Sequence, residues 1–132
     1  MALNVLIVDD DPTTRTLLAR LLTKRLGCEV RESGDGLAAY LALESAPADL
    51  VLLDVSMPTV TGQELLHKLR NDQRFATLPI VMITATNDRE TVTDSIGQGV
   101  LDYIRKPFNL AVVERRLIAV LRGLGHTITV AS

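Results

Sequence analysis

The chain has 132 residues, 47% of them hydrophobic and 23% charged, with a formal net charge of −2. That size and balance fit one globular domain and exclude a disordered chain, and the near-neutral charge gives no general pull toward nucleic acid or anionic lipid. A single cysteine excludes an internal disulfide, no apolar stretch reaches transmembrane length, and Met1-Ala2-Leu3-Asn4 lacks the features of a signal peptide, so a soluble cytoplasmic protein is expected.

The first apolar run, Leu3–Val8, reads as a strand buried on both faces and ends in Asp9-Asp10-Asp11. Asp11-Pro12 predicts a helix start, with Asp11 as N-cap and Pro12 at the first helical position. Leu17, Leu18, Leu21, Leu22 and Leu26 form its apolar stripe, and Gly27 ends it. The next run, Cys28–Arg31, alternates in polarity and suits a sheet edge; Cys28 reads as a small buried hydrophobe rather than a reactive thiol. A second helix is marked by Leu37, Ala38 and Leu41.

Leu50–Leu53 is a third strand, closed by Asp54 and followed by Val55-Ser56-Met57-Pro58. Pro58, without an N–H, and Gly62 shape the loop into a third helix, marked by Leu65, Leu66 and Leu69. Ile80–Ile83 is a fourth strand and ends at Thr84. The pattern from Asn87 to Gln98 is weak, because only Val92 and Ile96 mark an apolar face and Gly97 lowers helix propensity. It reads either as a thinly anchored helix available for movement or as an ordinary solvated one. Leu101–Ile104 is the fifth strand, just before Lys106-Pro107, whose X-Pro bond permits a cis peptide. A fifth helix shows Leu110, Val113, Leu117, Val120 and Leu124 at three-four spacing. Its arginines, Arg115, Arg116 and Arg122, read as a solvated face, and His67 and His126 read as isolated and exposed. Residues 1–125 form one domain, and 126–132 read as a tail or the start of a linker.

Five alternations of strand and helix predict an α/β domain, a parallel sheet covered by helices on both faces. Ligands of such sheets bind outside the carboxyl ends of the strands. Here those ends carry Asp9, Asp54, Thr84 and, just beyond the fifth, Lys106. A carboxylate at the tip of a buried strand is costly without a partner, and several together cannot all stay charged uncompensated. The natural partner is a hard divalent cation bound through oxygen, such as Mg²⁺. A carboxylate can also attack phosphorus to give an aspartyl phosphate. Lys106 offers a compact positive charge for phosphoryl oxygens, and Thr84 a hydroxyl donor. No glycine-rich loop follows Val8, which excludes a nucleotide-binding Rossmann domain.

Taken in order, Asp9-Asp10, Asp54 with Met57-Pro58 and Gly62, Thr84-Ala85, and Tyr103 with Lys106-Pro107-Phe108 resemble a response regulator receiver domain of two-component signalling. The resemblance runs over residues 3–122. It implies a flavodoxin-like (βα)5 fold with strand order 2-1-3-4-5. It implies a signalling switch rather than an enzyme, catalysing only its own phosphorylation and dephosphorylation. Asp54 would accept a phosphoryl group from a sensor histidine kinase or a histidine phosphotransfer protein. Asp10, Asp54 and the Ser56 backbone carbonyl would ligate Mg²⁺, with Asp9 acting through water. Lys106 would bind the phosphoryl group, Thr84 would follow it inward, and Tyr103 would rotate from outside to inside. Those moves would change the surface made by the fourth helix, fifth strand and fifth helix, read by an unspecified output domain or protein. The resemblance implies no direct contact with nucleic acid or membrane and leaves a phosphorylation-dependent homodimer open.

Ser56 and Thr86 stand at positions that tune dephosphorylation in that family. Three positions depart from its commonest pattern: Thr61 before Gly62, Val100-Leu101 before Asp102, and Val112. The last weakens the case for the charged dimer of receivers joined to winged-helix domains. A haloacid-dehalogenase-like phosphatase uses the same aspartyl chemistry but wants an Asp where Ser56 stands. A pseudo-receiver usually lacks one of the acidic, Thr or Lys residues, and none is missing here.

Overall fold

Successive residues of a strand face opposite ways, so a strand that is apolar at every position needs cover on both sides. β1 (Asn4–Val8) meets that condition from Val5 on, β3 (Leu50–Leu53) throughout and β4 (Ile80–Thr84) as far as Ile83. Val5, Ile7, Leu50, Leu52, Val81 and Ile83 enter one apolar cluster, and Leu6, Val8, Val51, Leu53, Ile80 and Met82 enter the other. The computed structural model describes residues 2–57 and 60–131. Among these, two further strands, β2 (Glu29–Ser33) and β5 (Asp102–Arg105), complete a parallel sheet of order β2-β1-β3-β4-β5. The alternating strand lies at one edge, as its pattern predicts. Pro58, read above as shaping the loop after Asp54, lies outside the described residues.

The helices are α1 (Pro12–Arg20), α2 (Gly36–Ser45), α3 (Gly62–Arg70), α4 (Arg89–Gly97) and α5 (Leu110–Gly123), with a π-helical turn, Leu21–Arg25, extending α1. Each α-helix begins on a side-chain cap: Asp11, Asp35, Thr61, Asp88 and Asn109. Such caps are typically worth about 1 kcal/mol each. Thr61 and Glu64 form a full capping box. α1 and α5 cover one face of the sheet, and α2 and α3 cover the other. Among the described residues, no helix is long and apolar enough to cross a membrane.

Several expected helix faces are rotated. α2 buries Gly36, Ala39 and Leu43, while Leu37 and Leu41 are exposed. The Gly36 α-carbon packs so close to Val60 that a Cβ there would lie 2.7 Å from its carbonyl oxygen, so α2 meets its neighbour through its smallest residue. α5 buries Val113, Leu117 and Leu121, leaving Leu110 and Leu124 on the surface. On α4, Ile96 is exposed and the buried residue is Ser95, whose Oγ donates to the Thr91 carbonyl at 2.8 Å.

Arg116, Arg122 and His67 also depart from their expected solvated roles, while Arg115 is exposed as expected. Arg116 pairs with Asp102 through Nε at 2.8 Å, and Arg122 donates to the Ile128 carbonyl at 3.0 Å. His67 lies with its Nε2 2.7 Å from Asp94 Oδ2, joining α3 to α4. His126 is half-buried, and its N–H donates to the Leu121 carbonyl at 3.1 Å. The segment after α5 folds back, with Ile128 buried and Ala131 bonded in both directions to Arg25.

Gly62 opens α3 directly beneath the third strand's tip. A Cβ there would stand 1.8 Å from the Asp54 carbonyl oxygen, so Gly62→Ala must displace backbone. It is expected to cost about 2–3 kcal/mol. Gly97→Ala meets nothing within 4 Å and should stabilise α4 by about 0.5 kcal/mol. Urea unfolding midpoints of the two variants check both signs.

Candidate functional site

The strand register assembles the site. Val8 pairs with Leu53, so the next residue on each strand, Asp9 and Asp54, leaves the sheet at the same level. The Asp54 N–H donates to the Val8 carbonyl at 2.9 Å and holds the two tips together. Thr84 pairs with Arg105, and the Lys106 N–H donates to the Thr84 carbonyl at 3.0 Å. Lys106 therefore begins its turn beside the ends of the other strands. Its bond to Pro107 is cis.

Oxygens of Asp9, Asp10 and Asp54 lie within 4.8 Å of one another. Asp9 is 2% exposed and Asp54 4%, while Asp10 is open to solvent. Lys106 Nζ sits 2.6 Å from Asp9 Oδ2 and 3.3 Å from Asp54 Oδ2. The other oxygens are partly served by main chain: the Asp11 N–H donates to Asp9 Oδ1 at 2.9 Å and the Ser56 N–H to Asp54 Oδ1 at 3.2 Å. One ammonium faces three carboxylates, so negative charge is left over. Burial pushes the Asp9 carboxyl above its ordinary value, against the opposing pull of its Lys106 bond. Burial alone would lower Lys106, but its bond to Asp9 and the charge of Asp54 hold the ammonium above its usual range. An oxygen-only donor set with unmatched negative charge suits a hard divalent cation.

Thr84 is fully buried, and its Oγ1 accepts from the Thr86 N–H at 3.3 Å. Thr86 is a junction. Its side chain lies 3.2 Å from Ser56 Oγ, and its carbonyl accepts from the Tyr103 hydroxyl at 2.7 Å. Tyr103 thus points toward the loop after β4. Burial, then the charge of Asp54, raises its phenol above the usual value. All seven residues singled out from the sequence, Asp9, Asp10, Asp54, Ser56, Thr84, Tyr103 and Lys106, lie in this one region. Arg15 was not among them. Its Nη1 donates to the Asp9 carbonyl at 2.5 Å. No spacing rule marks an arginine on the first turns of a helix as a partner of the preceding strand.

The family model described as "Response regulator receiver domain" matches residues 5–118. Chemotaxis protein CheY-3 of Vibrio cholerae is 35% identical over 122 residues, which cover 92% of this chain and 94% of that protein. The solved structure of chemotaxis response regulator CheY4 of Vibrio cholerae superposes with a TM-score of 0.82 at 30% identity, covering 92% of this chain and all of that one. The Mn²⁺-bound form of response regulator Rcp1 gives a TM-score of 0.79 at 25% identity, covering 98% of this chain and 99% of that one.

The raised Asp9 carboxyl carries a stability consequence with a definite sign. A folded-state value above the unfolded one means that ionising Asp9 destabilises the fold, fully so at neutral pH. That penalty disappears as pH falls through the folded value to below the ordinary 3.8. Asp9→Asn is therefore expected to raise Tm by roughly 3 °C at pH 7 in metal-free buffer, on the scale of about 1 kcal/mol. The gain should shrink toward acid pH. Calorimetric scans at both pH values test it.

Proposed function

The chain belongs to the response regulator receiver family of two-component signalling, and from that premise we propose that it is a phosphorylation-controlled switch with Asp54 as the phosphoryl acceptor. A receiver stands opposite a histidine kinase or phosphotransfer protein, and we take such a protein as the phosphoryl donor. The observation that carries this reading is the pair of buried tip carboxylates bridged by Lys106 Nζ at 2.6 and 3.3 Å.

In this reading an Asp54 oxygen attacks phosphorus of a phosphohistidine. The P–O bond forms as the P–N bond breaks, and the electron pair returns to the imidazole. The donor set fits Mg²⁺, which Asp10, Asp54 and the Ser56 carbonyl would hold, with Asp9 acting through water. Bound there, it supplies positive charge to the oxygens of the transferring group. Lys106, already within 3.3 Å of Asp54, binds the same group from the protein side. The Thr84 hydroxyl accepts from Thr86 and keeps its own proton free to donate to a phosphoryl oxygen.

Phosphorylation replaces the single negative charge of the Asp54 carboxylate with a phosphoryl group carrying about −1.5 to −2 charges and three acceptor oxygens. As Thr84 turns toward them, the bond from Thr86 to Thr84 Oγ1 is broken and the Thr86–Tyr103 contact is reset. Tyr103 lies on β5, and Ile96 on α4, Leu101 just before β5 and Leu124 at the end of α5 are exposed. We assign the α4–β5–α5 face as the output surface, and the same face would carry any phosphorylation-dependent homodimer. Moving such an equilibrium from 1:99 to 99:1 takes roughly 5.5 kcal/mol. Two or three charge-assisted hydrogen bonds at about 1.5–3 kcal/mol each reach that figure. Residues 1–125 are the working unit in this proposal, with 126–132 as its tail. Ser56 in place of an acidic residue argues against rapid turnover of a phosphate ester.

Incubation with Mg²⁺ and a small acyl phosphate is expected to add one phosphoryl group by intact mass. Asp54→Asn should reduce that gain at least ~100-fold, on the scale of removing a nucleophile. Equal labelling of the Asn variant would sink the assignment.

A further inference from the structure

The side chain of Asp10 has no hydrogen-bond partner among the described residues, although it is one of the three converging carboxylates. Asp9 and Asp54 are each held by a main-chain N–H and by Lys106. The aim of Asp10 must therefore come from its backbone. Its peptide nitrogen shares a plane with the Asp9 carbonyl. That carbonyl lies one residue past the end of the strand pairing, since Val8 is the last residue of β1 in register. Arg15 reaches back from α1 and fills the gap, with Nη1 donating to the Asp9 oxygen at 2.5 Å. The guanidinium is fixed in turn by Glu32 on β2, with Nε to Oε1 at 3.3 Å. It passes over Gly34, where a Cβ would come to 3.5 Å of Nη1.

We infer that Arg15 is a positioning residue of the cation site: by holding the Asp9–Asp10 peptide plane it aims the Asp10 carboxylate at the metal. The inference rests on the switch reading above. Arg15 touches neither metal nor phosphoryl group; it acts through the peptide. Glu32 neutralises its charge and sets its reach.

Charge and position predict opposite signs. If Arg15 acted only as a nearby cation, its removal would tighten metal binding, because one repulsive charge would be gone. If it aims Asp10, its removal weakens binding, and lost outer-shell partners typically cost 10–100-fold in metal affinity.

The test is a titration of the metal-free protein with Mg²⁺, followed by ¹H–¹⁵N NMR shifts of the residues after β1 and β3. Arg15→Gln, which loses the charge and shortens the side chain, should weaken binding by roughly tenfold, and Arg15→Lys, which keeps a charged donor on a long side chain, should fall between that and the wild type. Phosphorylation by an acyl phosphate should need correspondingly more Mg²⁺ for half-maximal rate yet reach the wild-type rate at saturation. Unchanged or tighter binding in Arg15→Gln overturns the inference, as does a rate deficit that saturating Mg²⁺ does not repair. If Arg15→Gln does not fold, Arg15→Lys decides, and wild-type affinity in that variant overturns the inference. A wild-type protein that binds no Mg²⁺ counts instead against the switch reading.

Discussion

Two carboxylates are held by one ammonium at the carboxyl ends of the strands, with a third converging on them, and most of the remaining structure answers to that arrangement. Two unit charges 4 Å apart interact with about 4 kcal/mol at an effective dielectric of 20. Native domains are stable by only about 5–15 kcal/mol, so even a partly compensated charge cluster weighs on that margin. It is offset by aliphatic burial, with β1, β3 and β4 apolar and enclosed on both faces. Each fully buried Leu, Val or Ile contributes about 1.5–3 kcal/mol. Lys106 offsets part of the repulsion directly, and in the proposed function a bound cation or phosphoryl group would change the balance again. The site is therefore a place where binding or phosphoryl transfer, as proposed, would act with leverage on the fold.

Much of this was legible in the sequence because burial on both faces leaves an unmistakable pattern. A continuous apolar run that stops at an acidic residue marks both a strand and its tip, and Leu50–Leu53 before Asp54 is the clearest instance. The convergence of tips follows from parallel pairing, so Asp9, Asp54, Thr84 and Lys106 could be grouped before any coordinates. The helix faces were less legible. α2 is apolar at almost every position, so large residues do not reveal its phase; close approach to Val60 selected Gly36 and Ala39 instead, and Leu37 and Leu41 were turned outward. Long-range polar pairs left no signal at all. Arg116 with Asp102, His67 with Asp94 and Arg15 with the Asp9 carbonyl each depend on side-chain reach across elements. The fold-back of Ile128 onto the core was equally hidden, since a short apolar segment after a helix-ending glycine has no periodicity to read.

The two faces of the sheet differ in how firmly they are held. On the α1 and α5 side, Leu18, Leu22, Val113, Leu117 and Leu121 are enclosed, and the tail adds Ile128 and the Arg25 bonds. α4 has no comparable apolar anchor. Its buried residue is Ser95, and its links to α3 are polar, through Gln63 and His67 to Asp94 and from Ser95 to Gln63 Oε1 at 3.2 Å. Part-exposed polar links of that kind contribute less than an enclosed apolar face would. The region nearest Thr86 and Tyr103 therefore lies at the low-stability end of the molecule.

In the proposed switch, that gradient would set the direction of the response. A charge added at Asp54 cannot easily move the tips of β1 and β3, which are locked by register and packed on both sides. It can redirect the Thr84 hydroxyl, whose acceptor bond from Thr86 is long at 3.3 Å. Thr86 also holds the Tyr103 hydroxyl at 2.7 Å, and Tyr103 borders the loosely held helix. In that proposal a small rearrangement would be passed to the side that yields at low cost. The same polar attachment that makes α4 nearly unreadable in the sequence makes it the element best able to respond.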